Sequence, residues 1–192
     1  PQASTKLAEQ LGRFHIEISS DSLVEIAAIP QARQRILRSA WRRDSAGGSH
    51  MEGRSWSANP QFALRLAAKG EVTLTLGRPS KHWLPYVKDY YEAMQAIYVL
   101  HGHSDGAPLR GVTRTATKIV TQTAFVPFDE VSTTLKLSPL PDGSPYIVMP
   151  ATFGPGMKGP FWLRISSDVD CSLVELPPTA AELKALEAKE AK

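Results

Sequence analysis

Gly48, Gly53, Arg54 and Ser55 fall in the register of a phosphate-cradling loop, G-x-x-x-x-G-K-[ST], with arginine where that motif has lysine. Such a loop needs a buried strand entering it and a helix leaving it, so that backbone N–H groups converge on the phosphates. The preceding RSAWRRDSAG is charged and has no apolar run, and Pro60 in SWSANPQFALRL keeps a helix from opening at the loop. Nucleotide binding fails on both flanks. Ser49 beside His50 has the residue types of a nucleophile and its base, but Met51 breaks the G-x-S-x-G pattern. His101 and His103 could share a strand face and ligate a metal, yet no cysteine, glutamate or third histidine stands at ligand spacing. They read instead as the polar end of a hairpin with Asp105–Gly106 as its turn. Asp168, Asp170 and Glu175 form a light acidic cluster, read as solvated surface with calcium as the minor alternative.

Charge is the stronger signal. Arg33, Arg35, Arg38, Arg42 and Arg43 lie within eleven residues, with Asp44 alone nearby to offset them. They read first as a solvated strand edge whose charges discourage edge pairing. Contact with an acidic partner, a phospholipid headgroup or RNA is the sharper alternative. Nucleic acid is disfavoured, because no aromatic residues interleave with the arginines to stack bases.

The chain that must position these groups has 192 residues, of which 42% are hydrophobic. That length and content support a globular body with a buried core. No run approaches the ~20 apolar residues of a membrane span. No signal-peptide segment opens the chain, and a start at Pro1 reads as a piece of a longer protein. The single Cys171 excludes an internal disulfide framework and points to a reducing, cytoplasmic compartment.

Most of the sequence reads as strand. RFHIEI, LVEIAAI, ILRSAW, QFALRL, EVTLTL, AIYVL, ATKIVTQTAF, STTLKL, YIVM, FWLRIS and SLVEL are short and rich in Val, Ile, Thr and aromatics. AAKGE, HSDGAP, LPDGSP and FGPGMKGP separate them with turn chemistry. The expected fold is all-β, an antiparallel two-sheet sandwich of about eight strands. WLPYVKDYYEAMQ, residues 83–95, is either a long loop or a short helix. After Pro177 and Pro178, TAAELKALEAKEAK is nearly pure helix former, with Thr179 and Glu182 as a capping box. Its narrow apolar stripe, Leu183 and Leu186, needs a neighbour.

Trp41, Arg42, the Ser45–Gly48 run, Trp56, Asn59, Pro60, Gln61 and Phe62 follow one another in a distinctive order. That order resembles the sandwich domain that follows the protease core in calpains, with its W-R-x-G-x-[ST]-A-G-G-C and N-P-Q-[FY] signatures. PYIVMPATFGPGMKGPFWLRISSD, which contains Phe153, is similar to a second signature of the same family. MQAIYVL resembles a further strand of that domain, and FHIEISSDS the last strand of the preceding protease core. Coverage is roughly residues 14–176. Where the family has cysteine after the double glycine, this chain has Ser49. The acidic loop that conventional calpains tie to calcium and phospholipid is replaced by AAKGEVTLTLGRPSKHW, with Glu71 against Lys69, Arg78 and Lys81.

The resemblance implies a division into residues 1–30, an extension holding the last strand of a preceding domain; 31–177, the sandwich; and 178–192, a helix or linker. Trp41, Gly47, Gly48, Trp56, Asn59, Pro60 and Phe153 become structural motif residues. Both tryptophans are expected in the sandwich core beside Phe62, on a hairpin whose glycines take positive φ. No Cys/His/Asn protease core is present in the chain. The expected function is a noncatalytic interaction or scaffold module, without a cofactor, that contacts protein partners or adjoining domains in a cytoplasmic, cytoskeleton-associated setting. The alternative is a regulatory domain of a calpain-like cysteine protease with phospholipid contact.

Overall fold

A computed structural model describes residues 19–25, 34–79 and 88–177. Nine strands appear in chain order: β1 Gln34–Trp41, β2 Phe62–Leu66, β3 Gly70–Gly77, β4 Gln95–His101, β5 Ile119–Gln122, β6 Glu130–Leu137, β7 Tyr146–Thr152, β8 Gly159–Ser167 and β9 Cys171–Glu175. They form a four-stranded sheet, β1-β8-β3-β6, and a five-stranded sheet, β5-β4-β7-β2-β9. All the pairings are antiparallel. The all-β sandwich is therefore present, with nine strands.

Strand chemistry explains the layers. In β3, Val72, Leu74 and Leu76 turn inward and are fully buried. Thr73 and Thr75 face the other way, where the Thr73 hydroxyl meets that of Thr134 at 2.9 Å and Ser132 donates to Thr75 at 2.8 Å. In β8, Phe161, Leu163 and Ile165 alternate inward in the same manner. Each such side chain contributes roughly 2 kcal/mol of burial. Strands β4 and β7 differ, being buried on both faces over nearly their whole length. Ile97, Val99 and Val148 enter the core between the sheets. Tyr98, Leu100, Ile147, Met149 and Ala151 enter a second cluster on the outer face of the five-stranded sheet. That double burial is why AIYVL and YIVM read as apolar runs rather than alternations.

Consecutive strands nearly always lie in different sheets; β4 and β5 alone are sequential neighbours that pair. The expected hairpin between Trp41 and Trp56 is therefore a crossing between sheets. Leu23–Glu25, expected as strand, have no regular structure, and Leu23 and Val24 are exposed. Exposed apolar side chains gain no burial to hold these three residues as strand. The rest of that segment and RFHIEI lie outside the described residues, as does the expected helix in 178–192. The 83–95 segment contains a short helix, α1, Lys88–Glu92.

Candidate interaction surface

The connection from β1 to β2 is held from within by one buried side chain. Asn59 Oδ1 accepts from Gly47 N at 3.1 Å, while its Nδ2 donates to the carbonyls of Gly48 and Trp56, each at 2.8 Å. Ser49 N donates to Phe153 O at 3.0 Å, and Glu52 N to Ser49 O at 3.0 Å. These N–H groups, which a phosphate would require, already have acceptors in the protein. Glu52 and Gly53 form a kink between two 3₁₀ turns within His50–Ala58, and Gly53 and Arg54 are exposed. The 3₁₀ turns leave the loop despite Pro60, which follows them. The opening motif is packing, not a nucleotide site.

Of the two adjacent glycines only Gly48 takes positive φ, +77°. A Cβ there would also lie 2.7 Å from Pro155 N. Gly47 is required for close approach instead, since its Cβ would meet Ser55 O at 2.0 Å. The tryptophans separate. Trp41 lies between the sheets, 4.4 Å from the Phe161 ring, and its indole N–H donates to Pro150 O at 3.2 Å. Trp56 does not join it beside Phe62. It packs on the outer face against Tyr98, ring centroids 5.2 Å apart, because the crossing carries the chain around the edge. Pro60 is buried next to Asn59, whereas Phe153 is 39% exposed with its ring edge-on to Phe125.

The outer cluster needs further polar anchors. Gln61 accepts from Leu109 N at 2.7 Å and donates back to Leu109 O and to Ser57 O. Arg110 donates to Ser57 O at 2.7 Å and to Asn59 O at 3.0 Å. Arg78, read from sequence as part of a basic loop, is 4% exposed. Its guanidinium donates to the carbonyls of Tyr90, Ala93 and Phe128 and lies 5.6 Å from the Tyr90 ring. Burial pushes the Arg78 pKa down, opposed by Tyr90 and Asp129. Burial also raises the Tyr90 phenol, and it pushes Tyr98 up to about 12. Sequence reasoning missed Arg78 and Arg110, since a charged residue beside Pro or Gly gives no sign that carbonyls converge on it.

The small candidate sites disperse. His50 Nδ1 is 2.8 Å from Tyr98 OH, while the buried Ser49 hydroxyl has no hydrogen-bond partner among the described residues. Desolvation, then Arg114, lowers the His50 pKa. His101 ends β4 with its ring edge-on to Tyr146, and its pKa is lowered chiefly by desolvation. His103 lies beyond the strand, where Gly106 N donates to His103 O at 2.9 Å in a local turn. A long segment then separates β4 from β5, so this turn does not close a tight hairpin. Asp168 accepts from Glu71 N at 2.7 Å, and Glu175 accepts from Ser39 Oγ at 2.6 Å. Among the described residues no three His, Cys, Asp or Glu side chains converge as metal ligands.

The arginines share one place. β1 is an edge strand, paired with β8 in unbroken register from Gln34–Ser166 to Trp41–Gly159. Arg35 and Arg38 are exposed on opposite faces of it, and Arg42 and Arg43 are exposed just past its end. Arg33 lies outside the described residues. Among the described residues none of these four forms an ion pair.

Curated relatives align with most of the chain. It is 25% identical over 174 residues to serine/threonine-protein kinase 4 homolog B of Dictyostelium discoideum, covering 88% of this chain and 14% of that protein. Identity is 23% over 175 residues with the calpain-like protease palB of Emericella nidulans, covering 90% and 18%. With the calpain-like protease palB/RIM13 of Aspergillus oryzae it is 28% over 147 residues, covering 77% and 15%. The chain thus spans less than a fifth of the length of the relatives it matches. The family model described as calpain large subunit, domain III, matches residues 37–166, from within β1 to near the end of β8. That match takes in the crossing, strands β2 to β7 and most of β1 and β8, leaving only β9 outside among the described strands, and the chain belongs to the calpain large subunit domain III family.

Proposed function

We propose that this chain is a noncatalytic interaction module that joins adjoining domains or protein partners within a longer calpain-like protein. The observation that carries the reading is the division of labour among its side chains. Trp41, Gly47, Gly48, Asn59 and Pro60 are buried and occupied in packing, while exposed arginines with no ion pair among the described residues gather at β1. Residues 31–177 are the module in this reading, and it works without a cofactor in a cytoplasmic, cytoskeleton-associated setting. No helix among the described residues is long and apolar enough to cross a membrane. Amide exchange of the isolated chain, compared with the same residues inside the longer parent protein, tests the proposal. Added protection confined to part of the surface is expected. Identical exchange in the two, together with a monomeric isolated chain, would overturn it.

Two relatives named calpain-like proteases favour a second reading, a regulatory domain of a cysteine protease with phospholipid contact through the arginines. Sedimentation with anionic vesicles separates the readings. Electrostatic adsorption is lost as salt rises, whereas a packed domain contact survives.

A further inference from the structure

We infer that the edge of β1, unpaired among the described residues, takes an acidic, extended peptide segment as an added strand of the four-stranded sheet. This rests on the interaction reading and names the site and the chemistry of the partner. An edge strand presents main-chain donors and acceptors on its unpaired side, and an extended peptide satisfies both at once. β1 offers eight residues in unbroken register with β8. The other edges are poorer. β5 has four residues, and its pairing with β4 carries a register shift. β9 has only five. β6 is as long as β1, but its charges are mixed, with Glu130 and Lys136.

Charge selects the partner. Ile36 and Arg38 share the outer face, opposite Arg164 and Trp162 of β8. Arg164 is already engaged, 5.3 Å from the Trp162 ring and 3.9 Å from Glu130. Among the described residues Arg38 has no such carboxylate, and Ile36 is 54% exposed. Arg35 projects from the opposite face, on the side of Cys171. An incoming strand is best matched by carboxylates across from Arg35 and Arg38, three positions apart, with an aliphatic side chain across from Ile36. A second copy of β1 would set arginines against arginines, which the same geometry disfavours. A lipid phosphate accepts hydrogen bonds but cannot donate to the edge carbonyls.

The probe is a fluorescein-labelled, capped octapeptide of threonine and valine with two glutamates three positions apart, titrated into the whole chain by anisotropy. Saturable binding is expected, with amide protection appearing at alternate residues of β1. The double charge reversal Arg35→Glu with Arg38→Glu should weaken it by about tenfold, as two cross-strand charge pairs are worth. The same peptide N-methylated at alternate amides keeps its charge and should not bind. Equal binding of the methylated peptide would overturn the inference in favour of adsorption by charge alone. So would vesicle binding without peptide binding, in favour of a lipid surface. The methylated arm uses the unaltered protein, so an unfolded variant does not blunt the test. If the octapeptide fails while β1 is protected inside the longer parent, strand addition is wrong and the interaction reading stands.

Discussion

The two faces of the five-stranded sheet are covered by different means. On the inner face Phe62, Leu64, Ile97, Val99 and Val148 meet Leu74, Leu76, Phe161, Leu163 and Ile165 of the other sheet. Both sides are regular strands whose main-chain groups pair within their own sheets, so apolar side chains suffice. On the outer face Tyr98, Leu100, Ile147 and Met149 are covered by Trp56 and Leu109, carried on irregular chain. Irregular chain has no ladder, and its buried carbonyls need dedicated donors. Asn59, Gln61 and Arg110 supply them. An apolar layer under loops needs placed polar side chains for the main-chain groups the loops bury, and here each of the three serves at least two of them.

Four measurements break or sharpen this contrast. The largest effect is expected inside. Trp41→Ala removes a ring packed on Phe161 and its bond to Pro150, and should cost about 3–5 kcal/mol. Thermal melts should show a fall of roughly 10 °C or more. A near-wild-type melt would mean that the inner core repacks freely. Next comes Asn59→Ala, which orphans the Gly48 carbonyl and the Gly47 N–H, while Trp56 O keeps its bond from the residue-59 main chain, and should cost about 3 kcal/mol. Here the readout is local. Amide exchange should rise around Gly47 and Leu109 while β3 and β8 stay protected, and a uniform rise would erase the distinction between the two faces.

Ser49→Cys should act in the other direction. The buried hydroxyl has no partner among the described residues, and a less polar thiol at that position should stabilise the fold by about 1 kcal/mol in denaturant melts. Lower stability would place an unseen partner at that hydroxyl. The smallest effect is pH-dependent. The folded pKa of His50 lies below its unfolded value, so the unfolded chain binds more protons in that window. The contribution is complete above the unfolded value near 6.5 and is lost as pH falls through the folded one. His101 shifts in the same sense. His50→Gln should therefore flatten part, not all, of the decline in melting temperature below about pH 7. An unchanged slope would remove His50 from the outer layer's energetics.

Strand positions were legible because period-two alternation in β3 and β8 and apolar runs in β4 and β7 are local signals. Strand partners were not. AAKG between β2 and β3 has the same turn chemistry whether the chain reverses within a sheet or crosses to the other. For the same reason the aromatic bulk of Trp56 was visible while the face it covers was not. Both glycines of the pair were expected at positive φ; Gly48 takes it, while Gly47 serves the close approach of Ser55 O, a contact that the local sequence does not encode. The roles of Arg78 and Arg110 depend on carbonyls brought from distant segments, and no spacing along the chain encodes that. The arginines of β1 were legible as charge, but their place on an edge came only with the strand order.

That order has a consequence for synthesis. Among the described residues β1 pairs with β8 alone, so Gln34 waits for Ser166 before that ladder can close. At ordinary elongation speeds the interval is on the order of ten seconds, far longer than hairpin formation. Throughout it a nascent β1 is a strand without a sheet, at the stage when stray pairing between unfinished chains is most costly. Its arginines repel the same segment on a neighbouring ribosome's product.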